Sequence, residues 1–138
     1  MMTSFAEVYA AVEATIAEHA HAQDEGRVGD MVALYWSDAV VEIPGIATLK
    51  GVEAIREAFS RPAWQPDPAN PQRHVVANSV VTDWSDREAK VTSDVVMVKF
   101  DGAAWAPAIV ARYHDEFGES GGRWLLRRRA DEYVGYHP

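Results

Sequence analysis

RHVVANSVVTDWSDREAKVTSDVVMVKF, residues 73–100, holds two runs whose side chains change sides from one residue to the next. Arg73–Asp83 alternates with period two, and so does Glu88–Phe100, with Trp84-Ser-Asp-Arg between them. A period of two belongs to a strand with one buried and one wet face, so the stretch predicts two long antiparallel strands and a connecting turn. Downstream, Asp101-Gly102 marks a second turn, and a strand is predicted over Ala106–Phe117. The Gly118–Gly122 turn then leads to a last strand from Arg123.

Upstream, the pattern is helical. Ser4-Phe-Ala-Glu7 reads as a capping box, in which the hydroxyl and the carboxylate satisfy free N–H groups of a first turn. Phe5, Val8, Tyr9, Val12, Ile16, His19, Ala20 and Gln23 then share one stripe, and Gly26 supplies the stop after Asp24-Glu25. A short second helix is expected around Val28–Tyr35, a short strand over Val40–Ile43, and a third helix after Lys50-Gly51. Arg61–Gln72 carries four prolines around Trp64, which predicts a lid-like loop. Helices followed by long antiparallel strands, without repeat or linker, make a single α+β domain over residues 1–138.

Composition narrows the function. The formal charge of −8 repels polyanions, so nucleic acid is not an expected partner, and Arg127-Arg128-Arg129 is too short to track a phosphate backbone. Without cysteine there is neither a thiolate nucleophile nor a cysteine-bound zinc. The N-terminal stretch carries Glu7, Glu13 and Glu18 and lacks a basic leader, and no apolar run nears the roughly 20 residues of a membrane span. A soluble, cytoplasmic protein without membrane contact is the expectation. Gly118-Glu-Ser-Gly-Gly122 matches Gly-x-Ser-x-Gly, but a nucleophile elbow joins a strand to a helix, and here the motif falls between two strands.

Three segments carry a resemblance. QDEGRVGDMVALYWSDAVVEIPGIATLKG (23–51), RHVVANSVVTDW (73–84) and ARYHDEF with GRWLLRRR (111–129) resemble, in this order, the SnoaL-like branch of the nuclear-transport-factor-2-like superfamily. The spacing from Asp24 to Gly51 is similar to that of hexachlorocyclohexane dehydrochlorinase and of scytalone dehydratase. The resemblance implies a cone-shaped curled antiparallel sheet with three N-terminal helices on its concave side. It also implies a homodimer, a small apolar substrate and no cofactor. It pairs Asp24 with His74, the base that removes a proton from carbon in those relatives. This chain departs from them at His19, where the dehydrochlorinase carries a lysine, and at Gln23 and Ile43, where scytalone dehydratase carries tyrosines.

The residues have a chemistry of their own. A neutral imidazole is the side-chain base best suited to a moderately acidic C–H, and a carboxylate on its second nitrogen fixes one tautomer. The bland alternative is that His74 caps an edge strand and Asp24 ends a helix. His19, on the buried stripe, is a second acid, a leaving-group contact or a satisfied core histidine. With His21 it makes a poor metal chelate, and no metal is expected. On a strand Arg127 and Arg129 share a face and Arg128 takes the other. The hairpin resemblance favours Arg129 for a cavity role, stabilising a developing enolate or departing anion. Asn78, on the face of His74, could hold a substrate carbonyl or a backbone group. Trp36, Phe59, Trp64, Met97 and Trp105 could line an apolar pocket, with Trp64 as a gate.

The leading expectation is a cofactor-independent lyase, isomerase or cyclase. A second is a non-catalytic ligand-binding or scaffold subunit, similar to the small subunit of ring-hydroxylating dioxygenases. That reading requires a filled cone or a His74 without its carboxylate. A third is epoxide hydrolysis, for which Asp94 and an arginine would supply part of an Asp–Arg–Asp set.

Overall fold

In a computed structural model, which describes residues 3–136 with side chains through Val134, α1 spans Phe5–Asp24. Ser4 caps it by accepting the Glu7 N–H, as the sequence implies, and Gly26 leaves the helix at φ 71°. Val8, Val12, Ile16, His19 and Ala20 are buried. Thr15 anchors the middle of the helix by donating to the Trp124 carbonyl at 2.8 Å. α2 is only Val28–Val32, followed by β1 (Tyr35–Ile43), β2 (Ala47–Lys50) and α3 (Val52–Phe59). A single 3-10 turn, Pro62–Trp64, stands in the proline-rich segment. The long strands are β3 (Gln72–Trp84), β4 (Glu88–Phe100), β5 (Trp105–Ser120) and β6 (Arg123–Tyr136). No helix among the described residues is long and apolar enough to cross a membrane.

The six strands form one open sheet in the order β2-β1-β6-β5-β4-β3. Pairing is antiparallel everywhere except between β1 and β6, which run parallel, so the sheet expected to be antiparallel is mixed. The reason is connectivity. β1 docks beside the last strand of the chain, and the intervening segment, α3 included, supplies the crossover a parallel neighbour needs.

Two differences from the sequence reading concern β1. The strand begins at Tyr35, not Val40, and the second helix stops at Val32. Leu34 passes its carbonyl to the Leu126 N–H at 2.8 Å, so pairing with β6 captures residues whose apolar spacing also suits a helix. β2 closes a hairpin through Pro44-Gly45, where Gly45 has φ 75°.

Register places the interior rows. Across β3, β4 and β5, His74 faces Met97 and Met97 faces Ile109. Val95, Ala111 and Tyr133 form the next row, and Ser93, Tyr113 and Asp131 the one after. The fourth row runs Val91, Asp115, Arg129 and Val41. The last two rows put charge and hydroxyls where the apolar pattern would continue.

Candidate active site

Asp24 is the final residue of α1, and its side chain is only 4% exposed. Its Oδ2 accepts the backbone N–H of His74 at 2.7 Å, while Oδ1 stands 2.6 Å from His74 Nδ1. Gln72 adds a longer contact to Oδ1 at 3.4 Å. An ionised carboxylate can only accept, so this pairing puts the imidazole proton on Nδ1 and leaves Nε2 with its lone pair. The helix end and the strand start are thereby locked together, and His74 lines a cavity of about 370 Å³.

The cavity lies between α1, α3, the proline-rich segment and the sheet. Its apolar wall includes Phe59, Trp64, Met97 and Ile109. Trp64 packs edge-on against Phe59, with ring centroids 5.1 Å apart. The size suits a small organic molecule.

Arg129 is buried, and its guanidinium donates to both oxygens of Asp115 at 2.8 and 2.9 Å. It also lies 3.8 Å over the Tyr113 ring. Burial alone would lower the Arg129 pKa, but the Asp115 charge and hydrogen bonds outweigh it and hold the group protonated. His19 is buried beside this pair. Its Nε2 is 2.7 Å from the Tyr35 hydroxyl, and its Nδ1 is 3.4 Å from Arg129. Burial, then the charges of Arg129 and His74, push its pKa well below the usual histidine value, so it is neutral. A neutral His19 that accepts from Arg129 at Nδ1 donates from Nε2 to Tyr35, whose own O–H is then available to the cavity. Burial raises the pKa of Tyr35 and of Tyr113, which keeps both hydroxyls protonated.

Of the residues expected from sequence, Asp24, His74, His19, Arg129, Phe59, Trp64 and Met97 gather at this cavity, Asp24 through its hold on His74. Trp36 and Asn78 do not. Trp36 donates its indole N–H to the Gly118 carbonyl and carries the Arg127 guanidinium 4.1 Å above its ring, away from the cavity. Asn78 sits at φ 55° and marks a bulge, because β3 spends one more residue than β4 between Ala77 and Val80. The bulge ends the alternation begun at His74, and the Asn78 amide donates to Asp94 at 3.1 Å instead. Asp94 is half-buried outside the cavity lining, where it also holds Arg112. A second bulge, at Arg127, reverses the phase of β6. Arg127 is exposed while Arg129 is buried, so the two do not share a face. Trp105 is exposed as well. His19 is buried and His21 exposed, so the two do not converge.

The sequence reading missed Tyr35, Tyr113, Asp115 and Asp131 as site residues. The available signal was polar spacing, since Tyr113 and Asp115, like Arg129 and Asp131, are two apart on strands.

The architecture and the site define a class: the SnoaL-like domain matches residues 4–130, and the chain belongs to that family. Among solved structures, the chain is similar to a putative scytalone dehydratase from Novosphingobium aromaticivorans. Identity is 19% and the TM-score 0.81, over 94% of this chain and 88% of that one. It is also similar to ActVI-ORFA from Streptomyces coelicolor, with 18% identity and a TM-score of 0.81 over 92% and 97%. LinA is a third, with 23% identity and a TM-score of 0.78 over 95% and 88%. At these identities the likeness is one of fold. No curated protein matches the sequence.

Proposed function

We propose that the protein is a cofactor-independent acid–base enzyme, a lyase, isomerase or cyclase, that takes a proton from carbon in a small, largely apolar substrate. The observation that carries this reading is the 2.6 Å contact between Asp24 Oδ1 and His74 Nδ1 at the wall of a cavity. His74 Nε2 is the base. Asp24 holds the ring in one tautomer and steadies the imidazolium as it forms. The apolar wall strips water from the substrate and orients it. Arg129 and the Tyr35 hydroxyl supply positive potential and a donor where negative charge develops. The name of one similar structure, a putative scytalone dehydratase, agrees with a lyase-like role.

The scaffold-subunit reading needs a filled cone or an unpaired His74, and this chain has a cavity and a paired one. The epoxide-hydrolysis reading draws on Asp94, and Asp94 lies outside the cavity, where it holds Arg112 and Asn78.

The test is turnover of a panel of small ketones, β-hydroxy ketones and β-halo ketones. The expected result is conversion by the native protein and a loss of about 10²–10⁴-fold in His74→Gln. Equal conversion by the variant would remove His74 as the base.

A further inference from the structure

Asp131 sits on β6, two residues beyond Arg129 and opposite Tyr113 on β5, and it lines the same cavity as His74. Its Oδ1 is buried and has no hydrogen-bond partner among the described residues. A buried carboxylate oxygen without a donor is costly when ionised, whereas a carboxylic acid lacks only a ligand to donate to. The cation two residues away does not remove that cost, because Arg129 spends both of its donor contacts to carboxylate on Asp115. Asp115 matches the arginine charge, and Asp131 is the second carboxylate beside a single cation.

We propose that Asp131 is a catalytic acid that hands a proton to a substrate oxygen as His74 removes one from carbon, so that the substrates are hydroxy or oxo compounds and not halides. This rests on His74 acting as the base. For a hydroxyl leaving group the step balances. The C–H proton goes to His74 Nε2, and its electron pair becomes the new C=C bond. The C–O bond breaks with its pair on oxygen, and that oxygen takes the Asp131 proton and leaves as water. The proton on His74 returns to the Asp131 carboxylate through solvent, which resets both groups. A halide leaves without a proton and gives such an acid nothing to do.

The groups facing Asp131 set its protonation. They are Arg129 on its own strand, Tyr113 and Asp115 on β5, Tyr35 on β1 and His74 on β3, with His19 of α1 and Lys99 of β4 lining the same cavity. Burial pushes the carboxyl up to about 6, Arg129 and His74 oppose it, and Asp115 adds to the rise. A carboxylic acid near that value keeps a usable protonated fraction at neutral pH and is strong enough to donate.

The experiment is a pH titration of the Asp131 carboxyl carbon by NMR, assigned with Asp131→Asn and repeated with 1-tetralone as a probe ketone. The expected result is a titration near 6 that moves upward when the ketone binds. Ketone affinity in the native protein then falls about tenfold from about pH 5 to about pH 8, and in Asp131→Asn it is flat. Titration in the ordinary carboxylate range, or a ketone affinity indifferent to Asp131 ionisation, overturns the proposal while leaving His74 untouched. Absence of ketone binding in every variant instead removes the ligand cavity, and both readings fall with it.

Discussion

At His74 one carboxylate holds both the backbone and the ring. Asp24 takes the His74 N–H with one oxygen and approaches Nδ1 with the other, so the strand start cannot shift without moving the imidazole. This double use predicts that Asp24→Asn costs stability as well as activity. An amide in place of the carboxylate keeps only one acceptor for two donors. Thermal or urea unfolding should show a loss of about 1–3 kcal/mol, whereas His74→Gln, which keeps the backbone contact, should lose less. The pair was legible in the sequence only through the SnoaL-like resemblance, because a terminal helix Asp and a strand His fifty residues apart carry no local signal. The Arg129–Asp115 contact was less legible still. It becomes visible only once β5 and β6 are in register.

At the scale of elements, two bulges decide which side chains reach the cavity. Alternation along β3 and β6 is a sound reading until one extra residue enters a strand, and then every later side chain changes face. Asn78 is such a residue in β3 and Arg127 in β6. Asparagine tolerates the left-handed region, and Asn78 at φ 55° uses that tolerance. Asn78→Gly should therefore unfold within about 1 kcal/mol of the native protein, and Asn78→Val should lose about 1–3 kcal/mol more, as read by urea denaturation. If valine matches glycine, the bulge does not require that conformation. The first helix, by contrast, was readable in its extent, because its cap and terminal glycine agree, although Phe5 and Tyr9 of the expected stripe are exposed. β1 was half lost because Leu34 and Tyr35 also fit the inner face of a helix, and only pairing with β6 settles them as extended chain.

For the whole molecule, the buried polar row gives stability its own pH dependence. Asp131 binds its proton more tightly folded than unfolded, since burial raises it to about 6 from 3.8. That contribution is complete below about pH 4 and is lost as pH rises through about 6. Asp131→Asn removes the loss. It should stabilise the protein above about pH 7 by at most about 3 kcal/mol relative to its effect at about pH 4, measured as the difference between denaturation midpoints. A variant whose advantage does not change with pH would mean that Asp131 is ionised and satisfied throughout. The α+β class and the SnoaL-like kinship were within reach of the sequence, and so was the order of elements apart from β2, the short strand Ala47–Lys50. The polar row was not, since Ser93, Tyr113 and Asp131 come from three separate strands.

The claim on which the functional account stands is that Asp24 keeps the His74 proton on Nδ1 and leaves Nε2 bare toward the cavity. Nitrogen NMR of the His74 ring reads this directly at a pH where the ring is neutral. The account predicts a protonated Nδ1 with its proton shifted far downfield, an unprotonated Nε2, and loss of that downfield signal in Asp24→Asn. A proton resting on Nε2, or a ring spectrum unchanged by Asp24→Asn, would contradict it.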